Sequence, residues 1–533
     1  MKLTPMAKVF IAAVVLAVVG YGYWHYYYKP HPEAGAKPNP TTDANTGGNP
    51  DGKPDANTNG KEAKDAKPDG KASPRKNPKR IVVGVNDFGG AYPGVVANDG
   101  TEPGPKSKFT AAGLDVEFRL IRGSKERLAA FDSGEVDVML LTLDYLANLA
   151  PIYKDKGIDV KAFLLADWSR GNLGVVAKPG ITSVEQLRDK KIATTRNTAT
   201  HYFLLWLLQN SNLKPADIER AKGNLVFATK TPLAGEMWKR GEVDAVAIWE
   251  PHLSQALAGG KGHLLVSTAT ASNMIADVFF ARADFEKARE ADLATFARVW
   301  FQGVADLGKD PDAGVAVVAR AFKQTPEETK ATLVKIKPTT FADNRAFFGL
   351  ERERAPFLSL FDDASRFWKK EGVISTTVPA AQARFLAPLE AIAKEHSDEK
   401  VVEGFQFSGG PKKDAAPLLT KSVSIYFASG ADKLDPNARR LVDDFADVLA
   451  QFGNAFVRVE GNTDNVGARP KNVALSLRRA QSLIGYLVSQ HGFDRGRFVA
   501  VGNGPDKPAG DNASTEGRDM NRRTDFQIIA NDR

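Results

Sequence analysis

A group of hydroxyl, amide and imidazole side chains follows a short apolar run in the middle of the chain. The run over 191–195 is predicted to be a strand, and the segment NTATH at 197–201 stands between it and a helical pattern over 201–208. The first backbone N–H groups of a helix have no partner inside the helix, and neighbouring hydroxyls add further donors. The sequence therefore predicts a site at this junction that suits an anionic group.

Two plainer interpretations of the same residues stay open. Thr198 or Thr200 is equally well explained as a helix N-cap, a position that Ser and Thr commonly occupy. His201 is explained as a residue of the first helical turn, because no nearby Ser or Cys gives it a nucleophile to activate. The sequence holds no Walker-type loop, HExxH, GxSxG or EF-hand pattern. It therefore favours binding over catalysis and predicts neither a cofactor nor a metal site.

A second polar loop, GNTDNVG at 461–467, follows a predicted strand over 456–460 near the C-terminus. The helical pattern after the loop places Asn472, Ser476 and Arg479 on one face. Upstream, alternation over 422–429 predicts a strand, and Asp435-Pro436 has the pattern of a helix start. Closing strands are predicted over 498–501 and 525–529. This order predicts a β-α-β-α-β domain.

The central part of the chain alternates short apolar runs with helical patterns, which is typical of an α/β fold. A first set of runs predicts buried parallel strands over 81–85, 116–121 and 136–141. A second set covers 173–177, 191–195, 225–229 and 243–248. Two sets indicate two lobes with a cleft between them. The run over 277–281 is predicted to return to the first lobe, so that the second lobe is an insertion.

Composition limits the classes of protein to which the chain can belong. Its length of 533 residues suggests three or four domains. Hydrophobic residues make up 43% and charged residues 26% of the chain, which is ordinary for a globular protein. The formal net charge of +8 is small and its Lys and Arg are interleaved with Asp and Glu, so nucleic acid is not expected as a partner. The chain has no Cys, which excludes disulfides, thiolate metal sites and a lipid-modified N-terminal Cys.

The N-terminus has the pattern of a membrane anchor. The run VFIAAVVLAVVGYGYWHYYY at 9–28 carries no Asp, Glu, Lys or Arg and is long enough to span a bilayer. Lys2 and Lys8 precede it and its end is aromatic, which predicts a single pass with a cytoplasmic N-terminus and the bulk of the chain exported. A cleaved signal peptide is the alternative, but bulky aromatic residues occupy the positions where a small-residue cleavage site is expected.

The composition of residues 31–79, rich in Pro, Gly, Asn and Lys, predicts a disordered linker. This linker is either a tether whose length matters for function or a plain spacer.

Several segments of the central part carry a family resemblance: GS at 123–124, GEVDV at 134–138, KPGITS at 178–183, GEVDA at 241–245 and WEP at 249–251. Through these segments, the central part of the chain resembles the periplasmic solute-binding proteins of ABC importers, of the nitrate, sulfonate and taurine type. The resemblance implies a two-lobed periplasmic-binding fold, and by position it implies solute contacts from Asp87, Phe88, Thr142, Asn197, Thr198, Thr200, His201, Trp249 and Glu250. Because Asp87 and Glu250 are acidic, the expected ligands also include a zwitterion or a hydrogen-bond-donating compound. Trp249 is also explained as core packing.

The C-terminal part matches a family motif along nearly its whole length, in TD at 463–464, LSLRRA at 475–480, GR at 517–518 and NRR at 521–523, with Gly467, Asn472, Gly502, Pro508, Asn512 and Thr515. It resembles the OmpA-like peptidoglycan-binding domain. The resemblance implies that Asp464 and Arg479 hold the diaminopimelate side chain of a stem peptide, whose ammonium and carboxylate need opposite charges. The other expected wall-binding residues are Thr463, Asn472, Leu475, Arg522 and Arg523.

Alternatives for this second site also remain. Asp464 and Arg479 could form a mutual salt bridge that only ties loop to helix. Arg522 and Arg523 could brace the Asp464 loop, contact the ligand carboxylate, or be solvated. Asn462 departs from the family, where His is more common, and so does the segment 468–471, where an aromatic residue is common.

The predicted order of domains is a membrane anchor at 1–30, a disordered linker at 31–79, a solute-binding domain at 80–405, a short linker at 406–417 and an OmpA-like domain at 418–533. The favoured function is an inner-membrane-anchored periplasmic receptor that binds a small solute and peptidoglycan and works with an ABC permease or a signalling partner. The alternative is a structural tether or docking scaffold between membrane and wall whose cleft has lost its ligand. An enzyme that uses the cleft is the third hypothesis.

Overall fold

A computed structural model describes residues 79–350, 355–402, 404–407, 409–411, 415–425, 427 and 431–531. The predicted membrane anchor at 1–30 lies outside these residues, and so does the predicted linker at 31–79 apart from Lys79. Within the described ranges, none of the helices combines the length and the apolar character that crossing a bilayer requires.

The described strands are short and mostly buried. They are β1 (Ile81–Val85), β2 (Val116–Leu120), β3 (Val138–Thr142), β4 (Val160–Ser169), β5 (Leu173–Ala177), β6 (Ile192–Thr195), β7 (Leu225–Ala228), β8 (Ala245–Trp249), β9 (His263–Ser267), β10 (Ala276–Arg282), β11 (Ile336–Pro338), β12 (Leu419–Val423), β13 (Ala455–Asn462), β14 (Phe498–Gly504) and β15 (Thr524–Ala530).

The described α-helices connect and cover these strands. They are α1 (Tyr92–Ala97), α2 (Lys108–Ala111), α3 (Ser124–Asp132), α4 (Leu143–Asp155), α5 (Ala199–Gln209), α6 (Pro215–Gly223), α7 (Thr231–Arg240), α8 (His252–Ala258), α9 (Ala283–Ala288), α10 (Glu290–Lys309), α11 (Pro311–Phe322), α12 (Pro326–Leu333), α13 (Phe341–Phe348), α14 (Pro356–Lys370), α15 (Ala387–Ile392), α16 (Pro436–Gln451), α17 (Arg469–His491) and α18 (Thr515–Asn521).

The first lobe is built on a six-stranded sheet in the order β11-β4-β10-β3-β1-β2. Strand β1 pairs in parallel with β2 and β3, and all five of its residues are buried, as expected of β-branched strands covered by helices on both faces. Strand β10 is antiparallel to both β3 and β4 and lies between them. The predicted return of the chain to the first lobe is therefore confirmed.

The second lobe is the insertion between β4 and β10. Its five-stranded sheet has the order β7-β6-β8-β5-β9, with β6 parallel to β7 and β8 and with β5 antiparallel to β8 and β9. The four predicted strands of this lobe all form, although the last one runs over Ala245–Trp249 and not over 243–248. The predicted two-lobed α/β architecture is confirmed.

Helix α14 packs against both lobes. Trp368 is fully buried and its Nε1 donates to the carbonyl oxygen of Asp144 in the first lobe at 2.8 Å. In the second lobe, the ring centroid of Tyr202 lies 5.0 Å from that of Phe367 and 5.8 Å from that of Trp368. These aromatic contacts hold the start of α5 against α4 and α14.

The C-terminal domain has a four-stranded sheet in the order β12-β15-β13-β14, with α16 and α17 between its strands in the sequence. Asp435 begins α16 as predicted, because its carboxylate accepts the backbone N–H of Ala438 at 2.7 Å. The prediction of a strand over 422–429 is wrong in its position, since β12 covers Leu419–Val423. After Val423 the chain turns, with the backbone N of Ile425 donating to the carbonyl of Val423 at 3.0 Å, and pairing with β15 ends.

The C-terminal domain also contacts the solute-binding domain. The backbone N–H groups of Thr420 and Ser422 on β12 donate to the side chains of Glu185 at 2.8 Å and Asn212 at 2.9 Å in the second lobe. The ring centroids of Trp206 and Phe452 are 5.3 Å apart. The two domains therefore share both hydrogen bonds and apolar contacts.

Helix α10 packs closely on α1, and Gly303 marks the point of contact. A Cβ atom on Gly303 would lie 2.1 Å from the carbonyl oxygen of Pro93, whereas one on Gly308 of the same helix would meet nothing within 4 Å. We expect Gly303→Ala to destabilise the first lobe by about 1–3 kcal/mol through overpacking, despite the higher helix propensity of Ala.

Gly308→Ala is the matched control and is expected to be neutral or to stabilise by up to about 1 kcal/mol. Chemical denaturation followed by tryptophan fluorescence measures both variants. Equal stability of the two would contradict the close packing of α10 on α1.

Candidate functional site

The C-terminal domain brings together the polar residues that the sequence singled out. The loop after β13 carries Asp464, whose side chain is 15% exposed. One carboxylate oxygen accepts from Nη1 of Arg522 at 2.5 Å and the other accepts the backbone N–H of Val466 at 3.1 Å. Arg522 also pairs with Asp519. Arg522 therefore braces the Asp464 loop, which was one of the roles that the sequence left open.

Arg479 projects from α17 and is half-buried. Its Nε donates to the carbonyl oxygen of Ala431 at 3.0 Å, and its guanidinium carbon lies 4.8 Å from the ring centroid of Phe427. Burial lowers the pKa of Arg479, and the nearby charges of Asp464 and Asp432 oppose that shift. The Asp464 carboxylate thus pairs with Arg522 while its charge acts on Arg479 through space.

Three further residues from the sequence prediction shape the loop. Thr463 is buried, and its hydroxyl donates to the carbonyl oxygen of Asp464 at 2.8 Å. The side-chain amide of Asn472 donates to the carbonyl oxygens of Val466 at 3.0 Å and Asp464 at 3.5 Å. Leu475 is half-buried on the same helix. Thr463 and Asn472 hold the loop in position.

A narrow cleft with a free volume of about 10 Å³ opens beside this loop. Its walls combine guanidinium groups with apolar and amide side chains, from Ile425, Phe427, Gly461, Asn462, Arg479, Arg522, Arg523 and Thr524. Asn462 is 3% exposed and donates to Asp525 at 3.0 Å, and Arg523 donates to Asp525 at 3.1 Å. Sequence reasoning missed Phe427 and Asp525 as parts of this site, although Phe427 stood in the alternating apolar positions of the predicted first strand.

The predicted solute contacts follow the carboxyl ends of strands in both lobes, where open α/β sheets bind ligands. Asp87 and Phe88 come after β1, and Thr142 ends β3. A carboxylate oxygen of Asp87 accepts from Nε of Arg122 at 2.7 Å, and Phe88 is half-buried. These residues therefore lie at the end of the first-lobe sheet where the solute site is predicted.

The segment before α5 takes an unusual backbone conformation. Asn197 has a φ of 56°, and its N–H donates to Nδ1 of His201 at 3.2 Å. Thr198 stands at the N-cap position but its hydroxyl donates to the carbonyl oxygen of Thr195 at 2.7 Å and caps no N–H of the helix. The hydroxyl of Thr200 lies 2.9 Å from that of Thr198. The simple capping explanation is therefore wrong for Thr198.

His201 is buried, with 4% of its surface exposed, against the rings of Phe227 and Trp368 at centroid distances of 5.1 and 5.8 Å. Burial lowers its pKa to about 4, and the charges of Arg196 and Lys222 act in the same direction. The imidazole is therefore neutral at pH 7 and accepts the N–H of Asn197. This placement agrees with the interpretation of His201 as a helix residue of the first turn.

Trp249 is partly buried at the end of β8, and Glu250 follows it. The Glu250 carboxylate pairs with Lys335, which directly precedes β11 of the first lobe, and accepts from the hydroxyl of Ser254 at 2.9 Å. Glu250 is thus half of an ion pair between the lobes.

Among the buried carboxylates of the first lobe are three aspartates near the carboxyl ends of β3 and β4 that sequence reasoning missed. Asp144, Asp167 and Asp277 are 4%, 1% and 6% exposed. Burial raises the pKa of Asp144 to about 7, and it also raises the pKa values of Asp167 and Asp277, which repel each other. The sequence does contain a signal for these buried carboxylates, because an Asp stands inside an apolar strand sequence such as AFLLADWS at 162–169.

Comparison with known proteins finds two families in the chain. A profile described as OmpA family matches residues 426–522, and one described as NMT1/THI5 like matches residues 106–314. The outer-membrane lipoprotein YfiB of Pseudomonas aeruginosa is 31% identical over 140 residues, which are 26% of this chain and 76% of that protein. The taurine-binding periplasmic protein of Escherichia coli is 26% identical over 190 residues, 35% of this chain and 56% of that protein.

Among solved structures, the periplasmic aliphatic sulphonate binding protein SsuA from Escherichia coli is similar, with 17% identity and a TM-score of 0.46 over 58% of this chain and 98% of that one. The chain spans about a third of the length of the outer membrane porin F of Pseudomonas aeruginosa, to which it is 35% identical over 115 residues.

The buried Asp144 predicts a pH dependence of stability. Its folded-state pKa of about 7 lies above the ordinary value near 3.8, so the folded state binds its proton more tightly than the unfolded state. Its contribution to stability is full below about pH 4 and is lost as the pH rises through 7, by up to about 4 kcal/mol. Asp144→Asn should remove this loss.

The free energy of unfolding, measured by urea denaturation between pH 4 and pH 8, compares wild type with Asp144→Asn. His201 acts in the opposite direction, because its depressed pKa makes its contribution fall as the pH drops below about 6.5. Because both proteins contain His201, its contribution cancels in the difference between their free energies of unfolding. If the difference in the free energy of unfolding between the two proteins does not change with pH, the pKa of Asp144 is not raised in the folded state.

Proposed function

Because this chain belongs to the OmpA family through its C-terminal domain and carries an NMT1/THI5-like solute-binding domain before it, we propose that it is a periplasmic receptor that binds both peptidoglycan and a small solute. Both matched families are families of binding proteins, which supports binding in preference to catalysis. The two proposed activities belong to two separate sites on one chain.

The observation that carries the wall-binding activity is the cleft beside Asp464. It presents the guanidinium groups of Arg479, Arg522 and Arg523 near the carboxylate of Asp464, and Asp525 pairs with Arg523. The end of a diaminopimelate side chain carries one ammonium and one carboxylate. We assign the ammonium to Asp464 and the carboxylate to Arg479, because charge-assisted hydrogen bonds are the strongest that such groups make.

The remaining wall-site residues take supporting roles in this proposal. Thr463 and Asn472 fix the loop through its carbonyl oxygens, and Leu475 supplies apolar surface on α17. Arg522 holds the Asp464 carboxylate in place. Arg523 is fixed by Asp525 and lines the cleft. We propose Arg479 as the guanidinium that meets the ligand carboxylate, because the resemblance to the OmpA-like domain gives it that role.

The solute site is proposed at the cleft between the lobes. Support comes from the carboxyl ends of β1, β3, β6 and β8, which bear all the candidate contacts. These are Asp87, Phe88, Thr142, Asn197, Thr198, Thr200, His201, Trp249 and Glu250. The helix α5 starts there without a side-chain cap, which suits an anionic group on the solute, and the Glu250 to Lys335 pair connects the lobes.

The location follows from the sequence. The run over 9–28 supports an anchor in the inner membrane, and the polar segment at 31–79 supports a flexible linker to a solute-binding domain at 80–405 and a wall-binding domain at 418–533. An ABC permease or a signalling protein in the same membrane is the proposed partner of the solute-binding domain.

For the wall site, we expect Asp464→Ala and Arg479→Ala each to abolish co-sedimentation with diaminopimelate-containing peptidoglycan, because each removes one of the two charges that the ligand needs. The matched control is Arg478→Ala, which removes the neighbouring guanidinium of the same helix, 52% exposed and paired with Asp432. Circular dichroism checks that all three variants fold. Retained sedimentation of both site variants would refute the assignment.

For the solute site, thermal unfolding of the whole chain should shift upward with one compound from a panel of oxoanions, sulfonates and amino acids. A ligand at 100 times its dissociation constant adds about 2.7 kcal/mol to the stability of the folded state. No shift with any compound, together with normal wall binding, would instead support a structural tether with an empty cleft.

A further inference from the structure

Three of the buried carboxylates of the first lobe, Asp144, Asp167 and Asp277, lie close together at one end of its sheet. Asp277 is near the start of β10, where its Cα is paired with Thr142 of β3 on one side and with Asp167 of β4 on the other. Asp144 is the second residue of α4, which directly follows β3. Thr142 is itself a candidate solute contact, so the carboxylates adjoin the proposed solute site.

The Asp167 carboxylate is held without a partner. It is 1% exposed, and neither oxygen meets a hydrogen-bond donor among the described residues. A Cβ atom on Gly90 would lie 2.5 Å from one of these oxygens, so the loop after β1 approaches the carboxylate as closely as glycine allows. Burying a carboxyl group without a hydrogen-bond partner lowers stability, and such a cost is typical of functional sites.

Asp144 is in a similar position. Neither of its oxygens has a hydrogen-bond partner of good geometry in the described part of the chain, although the Thr142 hydroxyl is near enough to favour the ionised form. Asp277 keeps 6% of its surface exposed, slightly more than Asp144 and Asp167.

The charge that faces these carboxylates does not balance them. The Arg127 guanidinium is buried and acts on Asp277, but its Nη1 donates to the carbonyl oxygen of Ile121 at 2.6 Å. Tyr145 and Asp87 are the other titratable groups that act on Arg127 from outside α3. One guanidinium therefore acts on one of the three carboxyl groups, and the cluster has an excess of acceptors over donors. Because their pKa values are raised, the three groups take up protons readily when no cation is bound to them.

We propose that Asp167 and Asp277 form a subsite for a primary ammonium group, and that the solute of this cleft is therefore an amine or an amine-bearing zwitterion. The inference rests on the proposed solute-binding function. An ammonium supplies three N–H donors and one positive charge, which match oxygens that lack donors. A metal ion is a poorer match, since the described residues contain no group of His, Cys, Asp and Glu arranged to hold one.

Pairs of compounds that differ only in the ammonium group test the subsite. The probes are 2-aminoethanesulfonate against ethanesulfonate, 2-aminoethylphosphonate against ethylphosphonate, and 4-aminobutyrate against butyrate, titrated calorimetrically into the whole chain. We expect at least one amine to bind about tenfold or more tightly than its partner, and Asp277→Asn and Asp167→Asn to abolish that preference. Asp284→Asn, an exposed carboxylate seven positions along the chain, is the control and should retain it.

The possible outcomes separate this proposal from the solute-binding function. If compounds without the ammonium bind as tightly as the amines, or if the preference survives both variants, the cleft binds solutes but the subsite is wrong. If no member of any pair binds, both proposals fail.

A second measurement guards against variants that simply fail to fold. Because the Asp167 carboxylate is buried and unpartnered without a ligand, Asp167→Asn should raise the unfolding temperature of the ligand-free chain at pH 8. A marked fall would show that the carboxylate is part of the structural framework, and would overturn its assignment as a ligand group.

Discussion

Strand β10 is the element on which the central domain depends. It is the segment by which the chain returns from the second lobe, and it enters the first sheet antiparallel between β3 and β4. Without β10, no strand would join β4 to β3 by hydrogen bonds, and the first sheet would be divided. Its pairing also sets Asp277 beside Thr142 and Asp167, so the same backbone bonds that complete the lobe assemble the acidic end of the cleft.

The segment that leads into β10 is also where the C-terminal domain makes contact. The backbone N of Asn273 donates to the carbonyl oxygen of Gln451 at 3.1 Å, and the Asn454 side chain donates to the carbonyl oxygen of Ala269 at 3.2 Å. The guanidinium of Arg170, in the other crossing between the lobes, lies 4.3 Å from the ring centroid of Phe405. Both connections between the lobes are thus covered by the C-terminal part of the chain.

A hydrogen-bonded chain continues from the second lobe to the wall-binding cleft. The Asn212 side-chain amide donates to the Ser422 hydroxyl at 2.8 Å, and that hydroxyl donates to Asp525. Asp525 in turn accepts from Asn462 and Arg523, which line the cleft. The two binding domains are therefore joined by polar contacts as well as by the Trp206 and Phe452 rings.

The sequence predicted much of this fold because its strands are short apolar runs and its helix starts carry recognisable caps, as at Asp435. It could not predict contacts set by tertiary pairing: Arg522 reaches Asp464 across 58 positions, and Asp277 meets Asp167 only through the register of β10. The strand placed over 422–429 shows the same limit, since alternation continues through Phe427 while pairing with β15 ends at Val423.

The distribution of charge between the sites is a final consequence of that pairing. A net charge of +8 over the chain says nothing about either site. In the cleft of the C-terminal domain, Arg522 and Arg523 are paired with Asp464 and Asp525, whereas at the end of the first-lobe sheet Asp167 has no hydrogen-bond donor among the described residues. Burial makes such an imbalance costly, because a charge removed from water is stabilised only by a partner. An ammonium group of the kind proposed for the first-lobe cluster would supply the missing donor.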